Sequence, residues 1–185
     1  MSQQTILTPQ TLDLIRVSTE FCKYIEQCAT AEKQEFCRVM LGLLPLLYLK
    51  THLIPDLPEM PGWNEEAVTE DDYNFVRQSV AKVLGEDDDY LDVFVEDFKY
   101  SDTPILCTVS ENLADVYQPV RNLVEVFRQQ SDCEEALQTA LYDTLDQFRL
   151  SWGQKLLGAL RTPHDVTAKK LKPQWNKYLS KPIKK

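Results

Sequence analysis

The sequence contains few of the residues on which most active sites and strand-rich folds depend. Only 5 of its 185 residues are glycine and only 2 are histidine. Because tight turns between strands rely on glycine, this scarcity favours helices. The sequence has no phosphate-cradling glycine loop, no G-x-S-x-G elbow and no H-E-x-x-H zinc motif. Neither His52 nor His164 follows a glutamate by three residues, as the histidines of di-iron bundles do.

Cysteine occurs five times, without a C-x-x-C pair. Cys22, Cys28 and Cys37 fall on or near apolar helical patterns, where a free thiol behaves as a small apolar side chain. The odd number of cysteines and the lack of a dense set of ligands favour reduced thiols over disulfides or a zinc site. We therefore expect five free thiols and a cytoplasmic location.

A long uninterrupted apolar run is also missing. The richest run, residues 36–49, has 14 residues and is interrupted by Arg38, Gly42 and Pro45, whereas a membrane span needs about 20. The first ten residues do not show the basic segment and apolar core of a signal peptide. We predict a buried core helix at residues 36–49 and no transmembrane segment.

Charge is distributed unevenly along the chain. Residues 165–185 contain seven lysines and one aspartate, a net charge of +6, together with Trp175 and Tyr178. Since the whole chain carries −9, the other 164 residues carry −15. We predict an acidic helical bundle domain at residues 1–164 and a basic, aromatic-containing C-terminal tail at residues 165–185.

Apolar periodicity and helix-start signals predict an all-α bundle of five or six helices. Each helix start is expected at a residue whose side chain caps the first turn. The expected starts are Thr8 before Pro9, Thr30, Thr69 with an acidic first turn, Asp102-Thr103-Pro104, and Asp132 with Glu135 in a capping box. Gly85 is expected to end the third helix.

Irregularities are predicted inside three of these helices. Pro45 and Pro119 lack the amide hydrogen that an inner helical turn requires, so each predicts a kink. The apolar stripe of the last long helix, which places Trp152 in the core, drifts by about 140° before Leu160. We therefore expect either a bend near Gly153 and Gly158, where small residues let another backbone approach, or a far end that is apolar all round.

The strongest local signal is acidic. Residues 86–97 contain seven carboxylates in twelve positions. Such oxygen ligands suit calcium or magnesium, but the segment lacks the central glycine and the final glutamate of an EF-hand loop. We favour a solvated acidic connector that also caps the following helix, with docking of the lysine tail as the alternative. Within it, Val93–Val95 predict a short extended segment or the buried side of a short helix.

Four carboxylates are the candidates for a divalent metal site. Glu111 and Asp115 share one helix face at a spacing of four residues, and Asp88 and Asp92 come from the acidic segment. Pairs spaced like the first two are usually solvated helix surface. Convergence of all four around one ion would indicate a metal-dependent hydrolase. We predict no catalytic or cofactor-binding residue and no cofactor.

The run GEDDDYLDVFVEDFKYSDTP at residues 85–104, followed by SENLADVYQ at residues 110–118, resembles an uncharacterised family of mostly helical bacterial proteins. The resemblance covers residues 12–160. It implies a bacterial, mostly helical protein, and it brings no assigned activity and no catalytic residues.

The main functional prediction is a non-enzymatic interaction protein that binds a protein partner through its acidic surface or its basic tail. Two alternatives stay open. One is the metal-dependent hydrolase. The other is contact with nucleic acid or an anionic membrane through the lysine-rich tail. Nucleic acid is the less expected partner, because a body with a charge of −15 repels phosphates.

Overall fold

The structure is a computed structural model that describes residues 6–59, 62, 64–93 and 103–169. The helices are α1 (Pro9–Glu26), α2 (Lys33–His52), α3 (Glu70–Leu84), α4 (Val109–Gln129), α5 (Glu134–Gln147), α6 (Gly153–Ala159) and α7 (Arg161–Lys169). A five-residue π-helical turn, Phe148–Trp152, joins α5 and α6 into one continuous rod. With α5 and α6 counted together, the described residues form six α-helical units, and the predicted all-α bundle is confirmed.

Within the described residues, two strands interrupt the helices. β1 (Asp89–Asp92) and β2 (Ile105–Thr108) pair antiparallel, with Leu91 opposite Leu106. An extended segment therefore ends immediately before Val93, whereas the one predicted at Val93–Val95 stays a prediction. Val93 follows the end of β1, and residues 94 and 95 lie outside the described residues. The two strands are called the β-ribbon below.

Two helix starts are as predicted. The Thr8 side chain accepts a hydrogen bond from the Thr11 amide at 3.2 Å, and Pro9 is the first helical residue. Thr69 and Asp72 form a reciprocal capping box at the start of α3, which satisfies two amides that the helix leaves unpaired. Gly85 ends α3 with a φ of 56°, a conformation that side chains with a Cβ rarely adopt.

Three other predicted starts are wrong. Residues 28–30 form a 3₁₀ turn, so α2 is capped by Glu32 and not by Thr30. Asp102 lies outside the described residues, and Thr103-Pro104 precede β2 and not a helix. Residues 105–108 pair with β1, so α4 begins only after Thr108, which caps it. The cap of α5 is Cys133, without a side-chain hydrogen bond, so the capping box of Asp132 and Glu135 does not form.

The π-helical turn explains the drift of the apolar stripe. Its wider hydrogen-bonded ring inserts one extra residue, which rotates the following helix by about 100°. Leu156 and Ala159 thereby face the core. The irregularity lies immediately before Gly153, close to the predicted bend. A Cβ at Gly153 would lie 2.6 Å from the Phe148 carbonyl oxygen, so the turn requires glycine there.

The core lies around α4, which packs against α1, α3, α5 and α6. Trp152 is fully buried, as predicted, and its indole N–H donates to the Thr144 carbonyl at 3.0 Å. Helices α2 and α4 continue through Pro45 and Pro119, and the kinks there stay predictions. The five cysteines are free thiols in this structure.

The outer parts of the bundle are α2 and α7, which pack against each other. α1 and α2 run antiparallel. This is seen from the ion pair between the Lys50 ammonium near the end of α2 and Asp13 near the start of α1, which are 2.6 Å apart. α7 crosses the predicted domain boundary at residue 164, and residues 170–185 lie outside the described chain. Among the helices described, none is long and apolar enough to cross a membrane.

Candidate binding surfaces

Asp88, one of the four predicted metal ligands, is buried at the start of α4. Its Oδ1 accepts a hydrogen bond from the Ser110 amide at 2.8 Å, and its Oδ2 accepts one from the Ser110 hydroxyl at 2.6 Å. A carboxylate at this position also interacts favourably with the positive end of the helix dipole. The acidic segment therefore caps the following helix, as predicted, but the prediction of a solvated segment is wrong for Asp88, which is buried.

The other three candidates lie in different surroundings. Asp115 accepts hydrogen bonds from the Tyr73 hydroxyl at 2.8 Å and from the Lys155 ammonium at 2.5 Å. Burial and the bond to Asp115 raise the pKa of Tyr73. Glu111 is exposed one turn before Asp115, and Asp92 is half-buried at the end of β1.

A metal site made of all four carboxylates stays a prediction. In the described part of the chain, no group of three or more histidine, cysteine, aspartate or glutamate side chains is placed to hold a metal ion. Asp88 and Asp115 already bind protein donors, and those donors lie on different elements.

The inner face of the β-ribbon is fastened to the bundle by Tyr90. The Asn112 amide donates a short hydrogen bond to the Tyr90 hydroxyl, and burial raises the pKa of Tyr90 to about 12. A Cβ at Gly158 would lie 2.5 Å from the Tyr90 hydroxyl oxygen. Gly158 therefore lets another part of the chain come close, as the sequence indicated, but that part is the Tyr90 side chain and not a backbone.

The outer face of the β-ribbon consists of Asp89, Leu91, Leu106 and Thr108, because side chains alternate along each strand. The two leucines are directly opposite each other and keep 61% and 64% of their surface exposed. Sequence reasoning missed this pair. Each strand has only four residues, which is too short for an alternation of two faces to stand out beside seven carboxylates.

A charged cleft of about 510 Å³ lies between the end of α1, the start of α3 and one side of α4. Its central residue is Arg121, which binds Glu26 at 3.0 Å and Glu125 at 2.9 Å. The Tyr117 hydroxyl donates to Glu26 at 2.8 Å. Sequence reasoning missed this cleft as well. Tyr117, Arg121 and Glu125 are spaced by four residues, which places them on one face of α4, but the spacing does not reveal that Glu26 of α1 lies opposite them.

The charged side chains of this cleft form ion pairs with one another. Hydrogen bonds from Arg128 and Gln129, together with Arg121, lower the pKa of the buried Glu125 to about 2. Burial, followed by the bond to Glu26, raises the pKa of Tyr117. A ligand would have to replace these internal partners, so the cleft is best explained as an ion-pair network that joins α1 to α4.

The outer face of α2 is different, because it is apolar and exposed. Leu46, Leu49 and Leu53 keep 40%, 49% and 52% of their surface exposed. Gly42 and Pro45 extend this face towards the middle of the helix. The opposite face of the same helix is buried through Phe36, Cys37, Met40, Leu44 and Leu47. The prediction of a buried core helix is therefore right for one face and wrong for the other.

Comparison with known proteins identifies the relatives of this chain. A crystal structure of a Bacteroides fragilis protein, solved as a target of the Northeast Structural Genomics Consortium, is similar with a TM-score of 0.76. The two sequences are 33% identical, and the match covers 88% of this chain and 95% of that one. The curated proteins gave no match. A family model described as "Domain of unknown function (DUF5063)" matches residues 5–169. The resemblance to an uncharacterised family of bacterial helical proteins is thereby confirmed, and the chain belongs to the DUF5063 family of unknown function.

Proposed function

We propose that this protein is a non-enzymatic binding protein of the bacterial cytoplasm, and that it holds an amphipathic helix of a partner protein against the outer face of α2. The observation that carries this proposal is the exposure of Leu46, Leu49 and Leu53 on a helix whose opposite face is already buried. A helix that is apolar on all sides is typical of a position with neighbours on all sides.

The spacing of these leucines suits a helical partner. Residues separated by three, four or seven positions lie along one side of a helix and form a ridge. Grooves beside such a ridge accept the apolar side chains of an amphipathic helix. Burying a whole leucine side chain contributes about 1.5–3 kcal/mol of free energy, so burying the exposed half of each leucine would add about 1 kcal/mol to the binding free energy. Contiguous exposed apolar surface of this kind commonly marks a protein interface.

The other predicted functions have less support. The hydrolase needs four carboxylates to converge, and Asp88 and Asp115 are bonded to protein donors on different elements. Nucleic acid is opposed by the acidic body, which carries −15 outside the tail. The cytoplasmic location rests on the five free thiols, because oxidising compartments favour disulfides.

A photo-activatable amino acid at position 49 tests the proposal in cells, with the same amino acid at position 75 as the control. Phe75 is also a half-exposed apolar residue, but it lies at the cleft near Glu26. Leu49 lies near Asp13, because Lys50, the residue after Leu49, forms an ion pair with Asp13. Asp13 and Glu26 are thirteen positions apart along α1, a distance of about 20 Å. The two positions therefore report on different surfaces.

We expect one discrete cross-linked polypeptide at position 49 and none at position 75. That polypeptide, once identified and purified, should bind the wild-type protein and lose at least tenfold in affinity for Leu46→Glu/Leu49→Glu. Phe75→Glu should bind it normally. Equal binding by both variants would contradict the proposal. So would a wild-type dimer that Leu46→Glu/Leu49→Glu converts into a monomer in sedimentation experiments, because the face would then serve self-association.

A further inference from the structure

We propose that the basic tail of the chain, residues 170–185, docks on the outer face of the β-ribbon, over Leu91 and Leu106. This surface is separate from the outer face of α2, so the inference does not depend on the proposed function. It assigns an intramolecular partner to the acidic segment.

The apolar part of the surface is the leucine pair. Leu91 and Leu106 are direct partners across the antiparallel ribbon, which brings their Cβ atoms to about 4.5–5.5 Å of each other. Both are more than 60% exposed. A two-stranded ribbon is marginally stable by itself, and among the described residues the cover of this one lies on its inner face, where Tyr90 contacts α4 and α6.

The polar part of the surface is acidic. Asp89 lies on the outer face, two residues before Leu91, and the exposed Glu86 precedes the ribbon. The last sixteen residues of the chain contain six lysines and no acidic residue. Opposite charges of this density attract each other over a Debye length of about 8–10 Å at moderate salt. The charge of the tail is therefore complementary to the ribbon.

The tail also carries an apolar set to match the leucine pair. Leu171, Trp175 and Tyr178 are spaced by four and three residues, a spacing that would put them on one side of a helix formed on docking. Tryptophan and tyrosine are the side chains that most often anchor a small interface. Lysines surround them in the sequence, so docking of the aromatic side would leave the charges free to meet the acids around the leucines.

The tail begins close enough to reach the ribbon. Gly158, against which the Tyr90 hydroxyl packs, lies three residues before the first residue of α7. The nine residues of α7 add about 13 Å. Sixteen further residues span about 24 Å as a helix and up to about 50 Å when extended. The outer face of the ribbon is within this range.

Hydrogen exchange of backbone amides, measured by mass spectrometry on the full chain, tests the proposal. The variants are Leu91→Ser/Leu106→Ser and, as a matched control, Leu46→Ser/Leu49→Ser. We expect slowed exchange of the tail amides in the wild type, at least tenfold faster exchange in the ribbon variant, and wild-type exchange in the control. Raising the salt to 0.5 M should also accelerate exchange of the tail, because salt screens the lysine–carboxylate attraction.

A reciprocal variant guards against a trivial effect of the serines on the ribbon. Trp175→Ala should accelerate exchange of the β1 and β2 amides while leaving the amides of α4 unchanged. Tail amides that exchange at the rate of an unfolded peptide in the wild type would overturn the proposal. Loss of tail protection in the control variant Leu46→Ser/Leu49→Ser would also overturn the proposal, because the tail would then lie on α2. Protection that grows with protein concentration would overturn it as well, because the tail would then bind a second molecule.

Discussion

Asp88 and Ser110 are joined by two hydrogen bonds, from the Ser110 amide and from the Ser110 hydroxyl, at 2.8 and 2.6 Å. The pair connects the acidic segment to the first turn of α4, and the Val109 amide adds a bond to the Asp88 carbonyl at 2.9 Å. Since α4 packs against α1, α3, α5 and α6, this contact fixes the β-ribbon to the centre of the fold.

We expect Asp88→Ala to destabilise the protein by about 1–3 kcal/mol, because it removes a buried helix cap and leaves the Ser110 donors without a partner. Chemical denaturation measures the change. Asp89→Ala is the control, since Asp89 is the next residue and is exposed. Its effect should stay within about 0.5 kcal/mol. Equal effects of the two substitutions would show that the acidic segment acts through its total charge alone.

The cysteines are expected to differ strongly in reactivity. Cys133 is exposed, whereas Cys22, Cys28 and Cys37 are buried. Burial raises the pKa of Cys28 and of Cys37 to about 11, so their reactive thiolate forms are scarce at pH 8. A thiol reagent should therefore modify Cys133 rapidly in the native protein and the three buried thiols only after denaturation. Five thiols should be counted in denatured, unreduced protein, and a count of three or one would reveal a disulfide.

The ion pairs in the cleft predict that the stability of the folded protein depends on pH. The pKa of Glu125 is lowered from the usual 4.5 to about 2 in the folded protein. A group with a lowered folded pKa stabilises the fold above its unfolded pKa, and this contribution is lost as the pH falls from about 4.5 towards 2. Glu125→Gln should therefore be less stable than the wild type at pH 7, by about 1–3 kcal/mol.

The difference between wild type and Glu125→Gln should shrink as the pH falls to 2, as urea unfolding at several pH values can measure. Glu134→Gln, at an exposed position in the first turn of α5, is the control and should follow the wild type throughout. A constant difference between wild type and Glu125→Gln over this range would show that the glutamate stabilises the fold by packing and not by its charge.

The sequence predicts most of the helical architecture, because helix periodicity and caps are local signals. Thr8 and Thr69 were identified correctly since each bonds to an amide three residues ahead. The start of α4 was misplaced because β2 depends on pairing with β1, about fifteen residues earlier in the chain. Such pairing leaves no mark in a window of ten residues. The π-helical turn was visible only as a drift in the apolar stripe.

The binding surfaces were harder to predict, for a related reason. Periodicity identifies apolar residues, but it does not say whether a neighbour covers them. Leu44 and Leu46 both belong to the same apolar run, yet Leu44 is buried and Leu46 is exposed. The surroundings of the metal candidates were hidden in a similar way, since Glu111 and Asp115 share a helix face by spacing while the partners of Asp115 lie on α3 and α6.

Gly158 and Gly42 offer a paired test of how closely the β-ribbon fits the bundle. A methyl group at Gly158 would lie 2.5 Å from the Tyr90 hydroxyl oxygen, whereas one at Gly42 would meet nothing within 4 Å. Gly158→Ala should therefore destabilise the protein by about 1–3 kcal/mol, the usual effect of overpacking. Gly42→Ala should stabilise it by about 0.5–1 kcal/mol, because alanine favours the inside of a helix. Both changes are measured by thermal and urea unfolding. Adding Tyr90→Phe, which removes the clashing oxygen, should restore part of the stability that Gly158→Ala loses, and no restoration would mean that the ribbon does not contact α6 through Tyr90.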